Sequence, residues 1–397
     1  MSFEWTQTTL GDVCLKITDG AHASPKSVAV GKPMASVKDM TRFGIDLSAA
    51  RLISAADFES LVKQGCRPEI GDVLIAKDGN SALDTVCNVK NSLDAVLLSS
   101  VAILRPNPEK IDTDFLKFYL SSSDVVEYLK STFISGAAIP RVVLRDFKKA
   151  EINIPPLSIQ KEIAKVLNAV EDRIFTLRET NTTLEAIAQA LFKSWFVDFD
   201  PVHAKMQGRA PEGMDQATAA LFPVSFEDSE LGSVPKGWRV GKLGDVFTLR
   251  NERIKPSEAT QSLPYVPIEC ITAKVPFLQE FKSGAVANSS LVIFHEGDIL
   301  FGAMRPYFHK VCIAPFNGVT RTTVFTLRAK NQKSSCFALF LAYQDATIEY
   351  ATQHSDGSTI PYAKWKDSLE LMPIIFPPES VQIAFAKSRH RSLGGQT

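Results

Sequence analysis

Two hydrophobic rhythms run through this chain. From Ser158 to Trp195 there is no Gly and no Pro, and Ile163, Leu167, Val170, Ile174, Leu177, Asn181, Leu184, Ala188, Leu191 and Trp195 recur in steps of four and three. That unbroken spacing over more than four heptads predicts a helix lying along another helix. At 1.5 Å per residue it would be about 57 Å long, and the polar Asn181 sits where a seam fixes its register. Elsewhere the rhythm shortens. Val73 to Ala76 and Val96 to Leu104 are strand-like runs punctuated by Gly, Asp and Asn. An amphipathic helix is predicted over Asp114 to Leu129, with Phe115, Phe118, Tyr119, Val125, Val126 and Leu129 on its apolar side.

The pattern then repeats. Trp5 followed by Leu10-Gly11-Asp12-Val13 returns as Trp238 followed by Leu243-Gly244-Asp245-Val246. Gly71-Asp72-Val73-Leu74 returns as Gly297-Asp298-Ile299-Leu300, and Leu104-Arg105 as Leu327-Arg328. Gly136-Ala137-Ala138-Ile139-Pro140 matches Gly357-Ser358-Thr359-Ile360-Pro361, and Pro155-Pro156 with Gln160 matches Pro377-Pro378 with Gln382. The offset drifts only from 233 to about 221 residues, while the residues between the matches differ widely. One scaffold with two different surfaces points to a protein that reads two things at once.

These signals predict a mixed α/β (α+β) pseudo-repeat, with two similar domains separated by a long coiled-coil-type helix. The boundaries are a first domain at 1–156, the long helix at 157–198, a Pro/Gly-punctuated linker at 199–237, a second domain at 238–378, and at 379–397 the start of a second helix with an irregular tail. A length of 397 residues suits two domains plus a connector. Charge changes the picture more than composition does. The net charge is zero, but residues 232–397 carry 19 basic and 13 acidic side chains while 151–231 carry 7 and 13. Nucleic-acid contact must then come from local patches. No signal peptide opens the chain and no apolar stretch is long enough to span a bilayer. Six scattered cysteines without a C-x-x-C pair fit a reduced cytoplasm, which is the expected location.

The stretch Pro155-Pro156-Leu157-Ser158-Ile159-Gln160-Lys161-Glu162-Ile163, the run Ala190-Leu191-Phe192-Lys193-Ser194-Trp195-Phe196-Val197-Asp198-Phe199-Asp200-Pro201-Val202 and the linker Leu231-Gly232-Ser233-Val234-Pro235-Lys236-Gly237-Trp238 carry a family resemblance. With both Leu-Gly-Asp openings, the chain resembles over essentially its whole length the specificity subunit of Type I restriction–modification systems. The resemblance implies two target-recognition domains, each reading half of a split, asymmetric duplex site. It implies two antiparallel helices acting as a spacer, two modification (methyltransferase) subunits docked on that frame, and restriction subunits beyond them. It implies no catalysis by this chain, with adenosylmethionine, ATP and Mg bound only by the partner subunits. The sequence departs from the pattern at its end, where the second helix is short. An exposed seam then demands cover, by a second copy of the chain or by a partner subunit.

The residues agree that chemistry is absent. Ile154-Pro155-Pro156-Leu157 lacks the amide and aromatic of an adenine methyltransferase motif, no phosphate-binding Gly loop occurs, and the six histidines are scattered. No metal site is expected. Base reading needs Arg or Lys for guanine and Asn or Gln for adenine. The expected DNA contacts are Lys38, Arg42, Lys77, Asn80 and Arg141 in the first copy, and Lys274, Arg305, Tyr307, Lys310, Arg321 and Tyr362 in the second. Arg305 occupies the loop that corresponds to Lys77. Arg105 and Arg328 match between copies, so scaffold or phosphate contact is expected of them. The competing reading is a scaffold or decoy that binds modification subunits through its helix and reads nothing.

Overall fold

In the computed structural model, which describes residues 4–135, 140–357 and 359–394 with side chains as far as 387, both copies build the same sheet. In the first, the strands Cys14–Asp19, Val101–Pro106, Val73–Ala76 and Val86–Asn88 are neighbours in that order, all antiparallel. In the second, the order is Phe247–Arg250, Val324–Ala329, Ile299–Gly302 and Val311–Ile313. Even the register repeats. Leu104 faces Ile17 and Val73, and Leu327 faces Leu249 and Ile299. The two ends of each copy pair as well, Thr6–Thr9 with Glu151–Ile154 and Arg239–Lys242 with Pro373–Phe376.

The repeated motifs are the joints of this frame. Leu-Gly-Asp-Val forms a single helical turn, Leu10–Val13 and Leu243–Val246. Its Leu N–H donates to Ala150 (3.0 Å) or Met372 (2.9 Å). The glycine allows a close approach, since a Cβ on Gly11 or Gly244 would stand 3.0 or 3.1 Å from the carbonyl oxygen of Lys148 or Glu370, tighter than most side-chain contacts. The buried glutamine after Pro-Pro donates to the carbonyl of the first proline, Gln160 to Pro155 (2.9 Å) and Gln382 to Pro377 (2.7 Å). That bond fixes how the chain turns from the last strand into a helix. Residues 136–139 of the first closing motif lie outside the described residues.

The chain divides into two compact units, Met1–Thr180 and Asn181–Thr397. One helix, Leu157–Phe196, is 40 residues long, as the heptad spacing predicts, and in chain order follows the first sheet and precedes the second. Its seam is not uniform. Ala164 is buried and Ile163 packs in the first unit's core, while Ala188, Phe192, Trp195 and Phe196 are core residues of the second, with Leu191 against them. In between, Val166 is 64% exposed, Val170 54% and Leu177 47%, and Leu167 and Ile187 are exposed too. Asn181 is exposed, and Ile174 and Leu184 are half-buried.

Three local expectations differ from the structure. The helix expected over 114–129 is two, Thr113–Leu120 and Ser123–Phe133, because Ser121 and Ser122 bond back to the carbonyls of Lys117 and Tyr119 and end the first. The expected linker is folded, with a helix at Asp200–Met206 and a hairpin of Phe226–Ser229 with Gly232–Pro235, and it buries Val202 and Phe222 in the second unit's core. The expected irregular tail is helical, Glu379–Gly394. Val381 and Phe385 anchor it, Phe385 lying 5.8 Å from Phe192 and from Trp195 between ring centroids, so packing supplies what a short helix lacks alone.

Candidate nucleic-acid interface

In each unit the strand after Gly-Asp ends in a loop held by three backbone bonds, and the bonds are equivalent. In the first unit Lys77 N–H donates to Ser100 (2.8 Å), Gly79 N–H to Pro140 (2.9 Å) and Val142 N–H to Lys77 (3.0 Å). In the second, Ala303 N–H donates to Thr323 (2.9 Å), Arg305 N–H to Pro361 (2.8 Å) and Ala363 N–H to Ala303 (2.9 Å). The isolated bridge Asp78↔Arg141 has its counterpart in Met304↔Tyr362. One frame thus presents Lys77-Asp78-Gly79 in one unit and Ala303-Met304-Arg305 in the other.

The first apex is neutralised from within. Lys77 is 5% exposed and its ammonium lies 3.0 Å from Asp78 and 3.5 Å from Asp19, so the expected surface cation is a buried ion pair. Arg141 is exposed, 3.5 Å from Asp78. Asn80 is exposed beside them, and Lys38 is exposed on the turn whose Val37 N–H donates to Ser100 Oγ (3.4 Å). Arg42 sits elsewhere. It lies over the Phe43 ring (5.6 Å) and 3.7 Å from Glu171, against the long helix rather than at the apex.

The second apex keeps its charge. Arg305 adopts φ +51° and His309 φ +52°, bracketing a tight turn, Pro306–Phe308, that displays Tyr307 (48% exposed) and Phe308 (47%). Left-handed backbone costs a non-Gly residue of order 1 kcal/mol or more, and such strain gathers at working sites. The first unit has Gly79 at the place of Arg305 and is spared it. Tyr362 donates its hydroxyl to the Thr322 carbonyl, which joins this loop to the turn after Arg321, itself exposed. Arg305, Tyr307, Arg321 and Tyr362 therefore gather at one end of the sheet.

Lys310 and Lys274 do not. Lys310 Nζ donates to the Ile268 carbonyl (2.9 Å), and Lys274, at φ +57°, donates its N–H to His309 (2.9 Å) behind the turn. His309 is buried with Nε2 2.6 Å from the Tyr343 carbonyl, and burial pushes its pKa below the usual histidine range. Arg105 and Arg328 belong to the frame, each paired with the buried aspartate of its Gly-Asp motif. The residues that sequence reasoning passed over are Asn251, Arg253, Lys364 and Lys366, beside the second apex. For the two lysines the signal was the interleaving of Lys364-Trp365-Lys366 one residue after Ile360-Pro361-Tyr362.

Among the described residues no cluster of His, Cys, Asp or Glu could hold a metal. Burial pushes the Cys14, Cys87 and Cys312 thiols up to about 12, so none is a thiolate at neutral pH. No helix among the described residues is long and apolar enough to cross a membrane.

Comparison with known proteins follows the same outline. A family profile described as the Type I restriction modification DNA specificity domain matches residues 3–186 and 235–387. A putative type I restriction enzyme MjaX specificity subunit of Methanocaldococcus jannaschii is 25% identical over 97% of this chain and 85% of its own length. The HindI specificity subunit of Haemophilus influenzae is 37% identical over 40% of this chain and 43% of its own. The crystal structure of a Type I restriction–modification S subunit from M. genitalium superposes with a TM-score of 0.52 at 15% identity, covering 99% of this chain and 90% of that one. That likeness is one of fold.

Proposed function

Since the chain belongs to the Type I restriction–modification DNA specificity family, whose members recognise DNA and are not enzymes, we propose that it reads a bipartite, asymmetric duplex site, one half with each unit. One observation carries this reading. The same three backbone bonds hold an apex loop in both units, but the side chains displayed there share nothing. A frame that is kept while its tips diverge is what two readers of different sequence require. Arg305 has the fork that pairs with guanine, and Asn80 the amide that pairs with adenine. Lys38, Arg141, Arg321 and Tyr362 flank them. The modification subunits would dock on the long helix and carry adenosylmethionine, with ATP and Mg used by restriction subunits.

The test is selection of duplexes from a random library by the full chain. A split motif is expected, and Arg305→Ala should relax only the half-site of the second unit, by about 1–3 kcal/mol. Sequence-blind binding would overturn the reading. The second reading, a scaffold that holds partners without directing them, rests on the exposed apolar stripe Val166, Val170 and Leu177. It predicts weak, salt-sensitive binding without a motif.

A further inference from the structure

Beside the second apex, and sharing Thr322 and Tyr362 with it, lies a cleft of about 350 Å³. We infer that this cleft clamps the DNA backbone next to the half-site read by the Arg305 loop, with Arg253 and Lys366 as the phosphate-binding cations. The inference rests on the reading given above and adds a division of labour to it, in which the cleft positions and the apex selects.

Charge accounting singles out these two residues. Arg250, at the rim, is committed to Glu252 (2.8 Å) and to the buried Asp298 (3.5 Å), and Lys364 is paired with Asp356. Arg253 donates only to the neutral Asn251 amide oxygen (3.0 Å), and Lys366 meets no carboxylate among the described residues. Both are exposed. Two uncompensated cations in one concavity attract an anion, and a concave wall focuses that field.

The rest of the cleft fits a sugar–phosphate strand. Phe325 meets Tyr362 and Trp365 edge-on, at 6.5 and 6.4 Å between centroids, which makes a rigid apolar wall. Thr326 lines the cleft beside this wall. After the corresponding strand of the first unit, Cys14–Asp19, the chain carries Gly20, where a Cβ would lie 2.1 Å from the Leu97 carbonyl oxygen.

The measurement is the affinity of the full chain, over a series of salt concentrations, for its selected duplex and for unrelated duplexes. The variant carrying Arg253→Ala and Lys366→Ala should bind all duplexes more weakly by a similar factor. The slope of log K against log salt should fall by about 0.9 per lost phosphate contact, hence roughly 1.8 for the pair. The selected motif should stay the same, and Arg253→Lys with Lys366→Arg should restore the slope. A wild-type slope in the alanine variant, or an altered motif, would overturn the clamp. A wild-type chain that selects no motif, with a variant that still loses slope, would overturn the reading of bipartite recognition and leave the clamp standing.

Discussion

Asp72 and Asp298 are buried, and each does two jobs at once. One carboxylate oxygen accepts the N–H of the residue three positions earlier, Glu69 (2.8 Å) or His295 (2.7 Å), which closes the turn before the strand. The other side pairs with the arginine that the repeat places on the neighbouring strand, Arg105 at 2.8 Å in the first unit and Arg328 in the second. The Asp72 hydrogen bond raises the Arg105 pKa above its ordinary value. A removed carboxylate would strand the turn N–H and set Arg250 beside Arg328 with no anion between them. Asp298→Ala is expected to cost about 3 kcal/mol. Urea denaturation followed by tryptophan fluorescence checks it, since Trp195, Trp238 and Trp365 are buried in the second unit; an unchanged midpoint would contradict the assignment. The recurrence of both partners was legible in the sequence, and a scaffold role was one of the two expected of the arginines, but their pairing came from the structure. The burial of Lys77 was not, since Asp19, 58 positions earlier, reaches it only through the sheet.

At the scale of the element, the long helix meets the first unit through a charge pair. Lys117 and Glu171 are both buried and bonded to each other, with Arg42 approaching Glu171 from outside at 3.7 Å. Phe43 then packs edge-on against Phe175 (5.4 Å) and takes the Arg178 guanidinium on its face (5.3 Å). Taking one partner from a buried pair costs about 3–5 kcal/mol, while replacing both with apolar residues is often neutral. Lys117→Met is therefore expected to be strongly destabilising, and Lys117→Met with Glu171→Leu to recover most of the loss. Chemical denaturation followed by circular dichroism measures both, and equal losses in the single and double variants would show the pair is uncoupled. Heptad spacing gave the helix and its length but could not show this contact, because Lys117 and Glu171 are each a plausible solvated charge until packing brings them together. The same limit explains the linker. Pro and Gly mark turns in it faithfully, but nothing local says that Val202 and Phe222 are buried.

At the scale of the whole molecule, the same helix raises a question of cover. Each end of its seam is core in one unit, and the stretch between exposes the seam residues Leu167, Val170 and Leu177, with Val166 and Ile187 beside the seam. Scattered exposed apolar residues are ordinary, but a row at heptad spacing on one helix is a surface that gains by association. A second copy of the chain supplies the same row, so the full chain is expected to associate at micromolar concentration. Light scattering coupled to gel filtration reads the mass directly. Val170→Glu with Leu177→Glu should return it to that of a single chain, and because both positions face solvent the variant should keep its fold. The salt slope of DNA binding offers a second readout, since a monomeric variant keeps its apex residues and its cleft. A wild-type chain that stays monomeric across the concentration range would leave the stripe to a different subunit, and adding modification subunits should then protect Val166 to Ile187 from hydrogen exchange.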